Sequence, residues 1–261
     1  MSGISILSLS ASSKKYFSKS LTNWSFIKIT APIKTSSLIG LTGLINQRPA
    51  KPISDDVLRE EDLLIKEEIE DKKIIDVNEL EGKIILLNHD ITALKVEAIV
   101  NPCDERMLGC FTPNHNCIDN QVHTNAGIRL RLKCAEIMRG DLLGIGKVVL
   151  TNAYNLPSKY IIHTVGPEIE EEVTDENIED LKACYENALE IAKNNNIRQI
   201  AFPCISTGRH SFPSKLACEI AISVVKDFIK EHDVFDKIVF STFTLENYAI
   251  YEEELKRNNM I

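Results

Sequence analysis

From Lys83 onward, short apolar runs alternate with longer helical stretches, and this rhythm narrows the fold of the 261-residue chain more than any other feature. Lys83–Leu87, Ala98–Val100, Lys147–Thr151, Tyr160–Thr164, Gln199–Pro203 and Lys237–Phe243 read as buried strands. Helical stretches are expected at about Thr124–Met138, Asn177–Asn194, Ser214–Lys230 and Glu246–Lys256, where apolar residues such as Leu181, Tyr185, Ala188 and Ala192 recur at helical spacing. Strands that alternate with helices predict an α/β fold whose sheet is covered on both faces. Ligands of such sheets bind where strands end and loops lead into helices.

Two chemically loaded segments fall at such ends. Gly109–Asn120 follows Ala98–Val100 and holds Cys110, His115, Cys117 and Asp119. Thiolate and imidazole are zinc's preferred protein ligands, and three of them leave a fourth position for water or substrate. Cys204–Pro213 follows Gln199–Pro203, and its Ser206, Thr207 and Gly208 supply hydroxyl and backbone donors of the kind that cradle phosphate. The same tripeptide is also an ordinary loop, and Arg209 and His210 either neutralise an anion or face solvent. Asp90, after the first strand, can accept from an exocyclic amine or cap a turn. Asp119 and His123 would share a helix face. His163 reads as a satisfied core histidine, and Cys134, Cys184 and Cys218 as core packing. Cys103 and Cys204 fall in loops near the site.

Composition limits the rest. A net charge of −8 argues against a nucleic-acid partner, which favours a basic face. No apolar run is long enough to cross a bilayer. Seven cysteines, an odd number without a disulfide-like spacing, fit a reducing compartment. A monomer is the expected state, since heptads and long apolar surface segments are missing. Between Met1 and Ser54 the chain has lysines, Arg48 and many hydroxylated residues but no acid. That composition fits mitochondrial or plastid targeting; a surface or disordered extension in a cytoplasmic protein is the plainer reading. Pro49–Asp55 predicts a turn and helix cap, and Asp55 to about Lys72 an acidic helix whose charges form a solvated face.

Taken together, Asn46–Asp55, Leu108–Asn120, Ala153–Tyr160, His163–Pro167 and Cys204–Pro213 resemble the macrodomain family, and within it the zinc-containing ADP-ribosyl-protein hydrolases. The resemblance runs from about Ile45 to Tyr251. It implies a three-layer α/β/α domain with a mixed central sheet over residues 83–261 and a helical extension at 45–82, preceded by the basic Ser/Lys-rich segment 1–44 that composition marks off. It implies ADP-ribose bound by Asp90, Ile91, Asn101, Ser206, Thr207, Gly208, Arg209 and His210, with Phe212 near the terminal ribose and Phe243 beside adenine. One Zn2+ per chain is implied on Cys110, His115 and Cys117. Asp119, Asn101 and Asp104 are the implied catalytic group.

The implied reaction removes mono-ADP-ribose from a modified protein side chain, Asp/Glu-linked, by attack of water. A non-catalytic ADP-ribose reader, with zinc stabilising the loop, is the alternative. The chain departs from the family at Asn101-Pro102-Cys103-Asp104, where Asn-Ala-Ala-Asn is common. Asp104 accepts hydrogen bonds but donates none, and adds charge that zinc or Arg209 would have to offset. Pro102 removes a backbone donor.

Overall fold

The structure, a computed structural model, describes residues 42–261. All but the last three residues of the 1–44 segment, and with them the targeting question, lie outside the described residues. After a helical stretch at 42–47 come α1 (Asp55–Glu70), β1 (Ile75–Asp76), β2 (Ile84–Asn88), β3 (Leu94–Lys95) and β4 (Ala98–Pro102). Then follow α2 (Ile118–Ala126), α3 (Ile128–Met138), β5 (Val148–Asn152), β6 (Tyr160–Thr164), α4 (Asp175–Asn194), β7 (Gln199–Phe202), α5 (Ser214–Glu231), β8 (Lys237–Thr242) and α6 (Leu245–Arg257).

The main sheet has the order β2-β8-β7-β4-β6-β5; β5 is antiparallel to β6 and every other pairing is parallel. β1 and β3 form a separate parallel pair. Burial on both faces explains why the strands read as continuous apolar runs. Alternate residues serve two cores: Ala98, Val100, Ile162, Ile200, Phe202, Ile238 and Phe240 pack on one side with α4 and α5. Ile99, Ile161, Ala201 and Val239 pack on the other with α2 and α3. This is a mixed sheet between two helical layers, as expected. Among the described residues no helix is long and apolar enough to cross a membrane.

Three expectations need correction. The single helix at Thr124–Met138 is two helices, the first beginning at Ile118, because Gly127 at φ +92° and ψ 176° breaks the helical path. Ser54 sits at the start of α1 without a side-chain capping bond, and the first turn instead carries Asp55 and Asp56. Nor are the charges of α1 merely solvated. Glu61 is 1% exposed, and both its carboxylate oxygens accept from the Ile128 amide at 3.0 Å, the first residue of α3. Asp62 pairs with Arg129 and accepts from Asn155. Leu63 is exposed. The extension thus docks through a buried carboxylate as well as Val57, Leu58, Ile65 and Ile69.

Candidate active site

Five parallel strands point the same way, so the loops after β2, β4, β6, β7 and β8 gather on one edge. Asp90, the Cys110–Cys117 loop, Gly166, the Cys204–Phe212 loop and Phe243 belong to those loops. The topology therefore collects residues far apart in sequence.

At the centre, β4 places Asn101 opposite His163 of β6. Asn101 is fully buried, and its Nδ2 donates to Asp119 Oδ1 at 2.9 Å and to His163 Nδ1 at 3.2 Å. With Nδ1 accepting, His163 carries its proton on Nε2 and donates to Thr151 Oγ1 at 3.0 Å. Burial keeps His163 neutral, with a pKa pulled down to about 3. His163 is thus a satisfied core histidine that also orients Asn101. Asp119, at the start of α2, is pushed up to about 7 by burial, a shift opposed by the Asn101 bond.

His123 lies one turn along α2, with Nε2 3.6 Å from Asp119 Oδ1. It is buried and held neutral by desolvation, and both ring nitrogens lack a partner. Gly109, at φ +77°, lies against this ring, and a Cβ there would sit 2.7 Å from His123 Cγ. His123, Cys134 and His163 bring their ligand atoms within 4.8 Å of one another. His163 already spends both nitrogens on Asn101 and Thr151, so this trio is a packed polar floor behind Asn101. Sequence reasoning missed it because cross-strand pairing has no signature in a single chain.

Cys110, His115 and Cys117 also bring their ligand atoms within 4.8 Å of one another, half-buried, with Cys110 Sγ 3.5 Å from His115 Nδ1. These three could hold a metal ion. Burial and the nearby Cys110 sulfur push the Cys117 thiol up to about 12, a direction that a bound cation would reverse. The backbone of the loop is held by Asn120, whose Nδ2 donates to the carbonyls of Cys110 at 3.3 Å and Thr112 at 3.0 Å. Phe111 lies between Arg106 and Arg131, whose guanidinium carbons stand 6.0 and 4.8 Å from its ring.

Asp104 turns back on its own loop, accepting from the Arg106 amide at 3.0 Å and its guanidinium at 2.7 Å. Its charge is offset by Arg106, a residue the sequence reading passed over in favour of zinc or Arg209. Cys103 is buried, and its Sγ lies 3.5 Å from the Thr164 carbonyl.

Across the cleft, Ser206 is buried at φ +63° and Thr207 Oγ1 donates to the Cys204 carbonyl at 3.0 Å. His210 Nδ1 lies 3.1 Å from the Gly166 carbonyl, tying this loop to the one after β6. Among the described residues the amides of Gly208, Arg209 and His210 have no internal acceptor. Three consecutive free amides suit an anionic ligand. Gly166 makes the close approach feasible, since a Cβ would run into Ser206 Oγ and come within 2.9 Å of Ile205 Cγ2.

Asp90 caps the short 3-10 turn Ile91–Ala93, accepting from Thr92 N at 2.9 Å and Oγ1 at 2.7 Å, while its other oxygen takes Lys72 Nζ at 2.9 Å. Burial raises its pKa, but Thr92 and Lys72 outweigh that and leave it below the usual carboxyl value. The adjoining Ile91 is part of the core. Phe212 is likewise a core residue, 2% exposed, whereas Phe243 stands 72% exposed at the end of β8.

The Macro domain family matches residues 100–221. A protein-ADP-ribose hydrolase from Staphylococcus aureus is 43% identical over 223 residues, 83% of this chain and 84% of that protein. An Oceanobacillus iheyensis macrodomain mutant with ADPR matches with a TM-score of 0.62 at 35% identity, covering 68% of this chain and 94% of that one. The Trypanosoma brucei macrodomain in complex with ADP-ribose gives a TM-score of 0.65 at 26% identity, covering 85% and 96%. By its fold, the arrangement of this cleft and these relatives, the chain belongs to the macro domain family.

Proposed function

We propose that this chain is an ADP-ribosyl-protein hydrolase that uses zinc and removes mono-ADP-ribose from Asp/Glu-linked sites on modified proteins. The observation that carries the reading is the buried 2.9 Å hydrogen bond from Asn101, at the end of β4, to Asp119, two residues past Cys117 at the start of α2. The hydrolase relative from Staphylococcus aureus supports the activity.

The diphosphate of ADP-ribose would lie against the free amides of Gly208–His210, and the Gly166–His210 contact holds that loop in place. Asp90 offers an acceptor for the adenine amine, and Phe243 an exposed aromatic face nearby. Asn101 orients Asp119, and its Oδ1, buried and unpartnered, is a free acceptor beside it. Asp119 positions the water, and its carboxylate takes up a proton as the ester opens. Water supplies the oxygen, and the products are free ADP-ribose and the restored carboxyl side chain. Asp104, neutralised by Arg106, borders the ribose end without an unbalanced charge.

Cys110, His115 and Cys117 fit zinc in donor type and spacing. On a tetrahedron with Zn–S of about 2.3 Å and Zn–N of about 2.0–2.1 Å, sulfur and nitrogen stand roughly 3.5 Å apart; here they are 3.5 Å apart. When bound, such an ion supplies a Lewis acid or a fixed anchor for substrate.

Elemental analysis of freshly purified protein, with release assays on Asp/Glu-linked conjugates, tests the proposal. About one zinc per chain and release that falls on chelation or in Cys110→Ala are expected. Metal-free protein with full activity would remove zinc from the account. Tight ADP-ribose binding without release from any conjugate would leave a reader.

A further inference from the structure

The metal loop is tied to a residue far upstream. Asn46, in the helical stretch at 42–47, is 1% exposed. Its Oδ1 accepts from the Asn114 amide at 2.9 Å, inside the loop. Its Nδ2 donates to Thr124 Oγ1 at 2.9 Å, on α2. Thr124 passes the chain on, donating to Asn120 Oδ1 at 3.1 Å. Asn120, also 1% exposed, then donates twice, to the carbonyls of Cys110 and Thr112.

The direction of every bond follows from the backbone. The Asn114 amide can only donate, so the Asn46 oxygen must face it. The carbonyls of Cys110 and Thr112 can only accept, so the Asn120 nitrogen must face them. That leaves the Asn120 oxygen for the Thr124 hydroxyl and the Thr124 lone pair for Asn46. Each group has one consistent role, and the loop is held at residues 110, 112 and 114, around the His115 ligand. Asn114 is itself at φ +53°, a left-handed conformation that asparagine adopts more readily than most other non-glycine residues. Arg131, donating to the Ile45 and Arg48 carbonyls, anchors the segment carrying Asn46.

We propose that Asn46, Thr124 and Asn120 form a clasp that presets the Cys110–His115–Cys117 loop, so that the N-terminal extension sets the affinity of the metal site as a positioning element. This rests on the zinc reading above. Groups that orient metal ligands from behind commonly change metal affinity about 10- to 100-fold when removed.

The test is zinc competition against a chromophoric chelator on the full chain, with thermal melting of each metal-free variant alongside. Asn46→Ala and Thr124→Val should each bind zinc about 10- to 100-fold more weakly, and Thr124→Ser, which keeps the hydroxyl, should stay near wild type. Arg129→Ala, which breaks an extension contact to Asp62 on α1, away from the metal loop, should lower melting without moving zinc affinity. If Asn46→Ala does not fold, the Thr124→Val and Thr124→Ser pair decides. Unchanged zinc affinity in Thr124→Val, with only its melting lowered, would overturn the clasp while leaving the zinc reading intact. A wild-type chain that takes up no zinc would overturn both.

Discussion

Replacing Glu61 by Gln should stabilise the protein in alkali and do little in acid. Glu61 is buried in the seam between α1 and α3, where desolvation raises its pKa from 4.5 to about 8. The Ile128 amide, Arg48 and Arg129 pull the other way, and Asp62 adds to the rise. The folded state therefore holds this proton more tightly than the unfolded chain. Stability is full below about 4.5, falls as pH rises, and is lost by the time pH passes about 8. At about 1.4 kcal/mol per decade, ionising the buried group costs about 5 kcal/mol. Glutamine keeps an acceptor for Ile128 and never ionises. Urea unfolding of both proteins at pH 4 and pH 9, taken as a difference so that other groups cancel, should give near-equal stability in acid and a gain of about 5 kcal/mol for Glu61→Gln in alkali. A variant no more stable than wild type at pH 9, or equally more stable at both values, would refute the buried-charge argument.

Gly166→Ala should close the gap to Ser206 and disturb the amide-lined loop, overpacking at about 1–3 kcal/mol. Calorimetric titration with ADP-ribose should show at least a several-fold loss of affinity, and unchanged binding would argue against that loop as the diphosphate cradle. Arg106→Ala should free the Asp104 charge near the ligand and weaken ADP-ribose binding by about two- to fivefold at low ionic strength. The effect should shrink in high salt; a salt-independent loss would point to packing against Phe111 instead.

The central strands are legible because they are buried on both faces, which turns β4, β6, β7 and β8 into plain apolar runs. The juxtaposition of Cys110, His115 and Cys117 is legible because a short loop carries all three, so spacing alone brings them together. Other features depend on distant partners. The Asn101–His163 contact arises from parallel register between β4 and β6. Glu61 reads as one more surface acid until α3 is placed against α1. Gly127 interrupts what looks like one amphipathic helix, since a lone glycine in such a pattern is often tolerated. Asn46 carries no mark in sequence at all, because its importance lies in two hydrogen bonds spanning 68 and 78 residues. Arg106 lies only two residues beyond Asp104, but its pairing depends on how the loop turns back on itself, which an i,i+2 spacing outside regular structure does not specify.

The central claim is that the cleft turns over protein-linked ADP-ribose by way of Asp119. The most direct measurement pairs release of free ADP-ribose from an Asp/Glu-linked conjugate with ADP-ribose titration, for wild type and Asp119→Asn. Wild type should release ADP-ribose; the variant should still bind it and release it at least about 100-fold more slowly, the scale expected for a positioned proton acceptor. Equal release by both proteins would contradict the account.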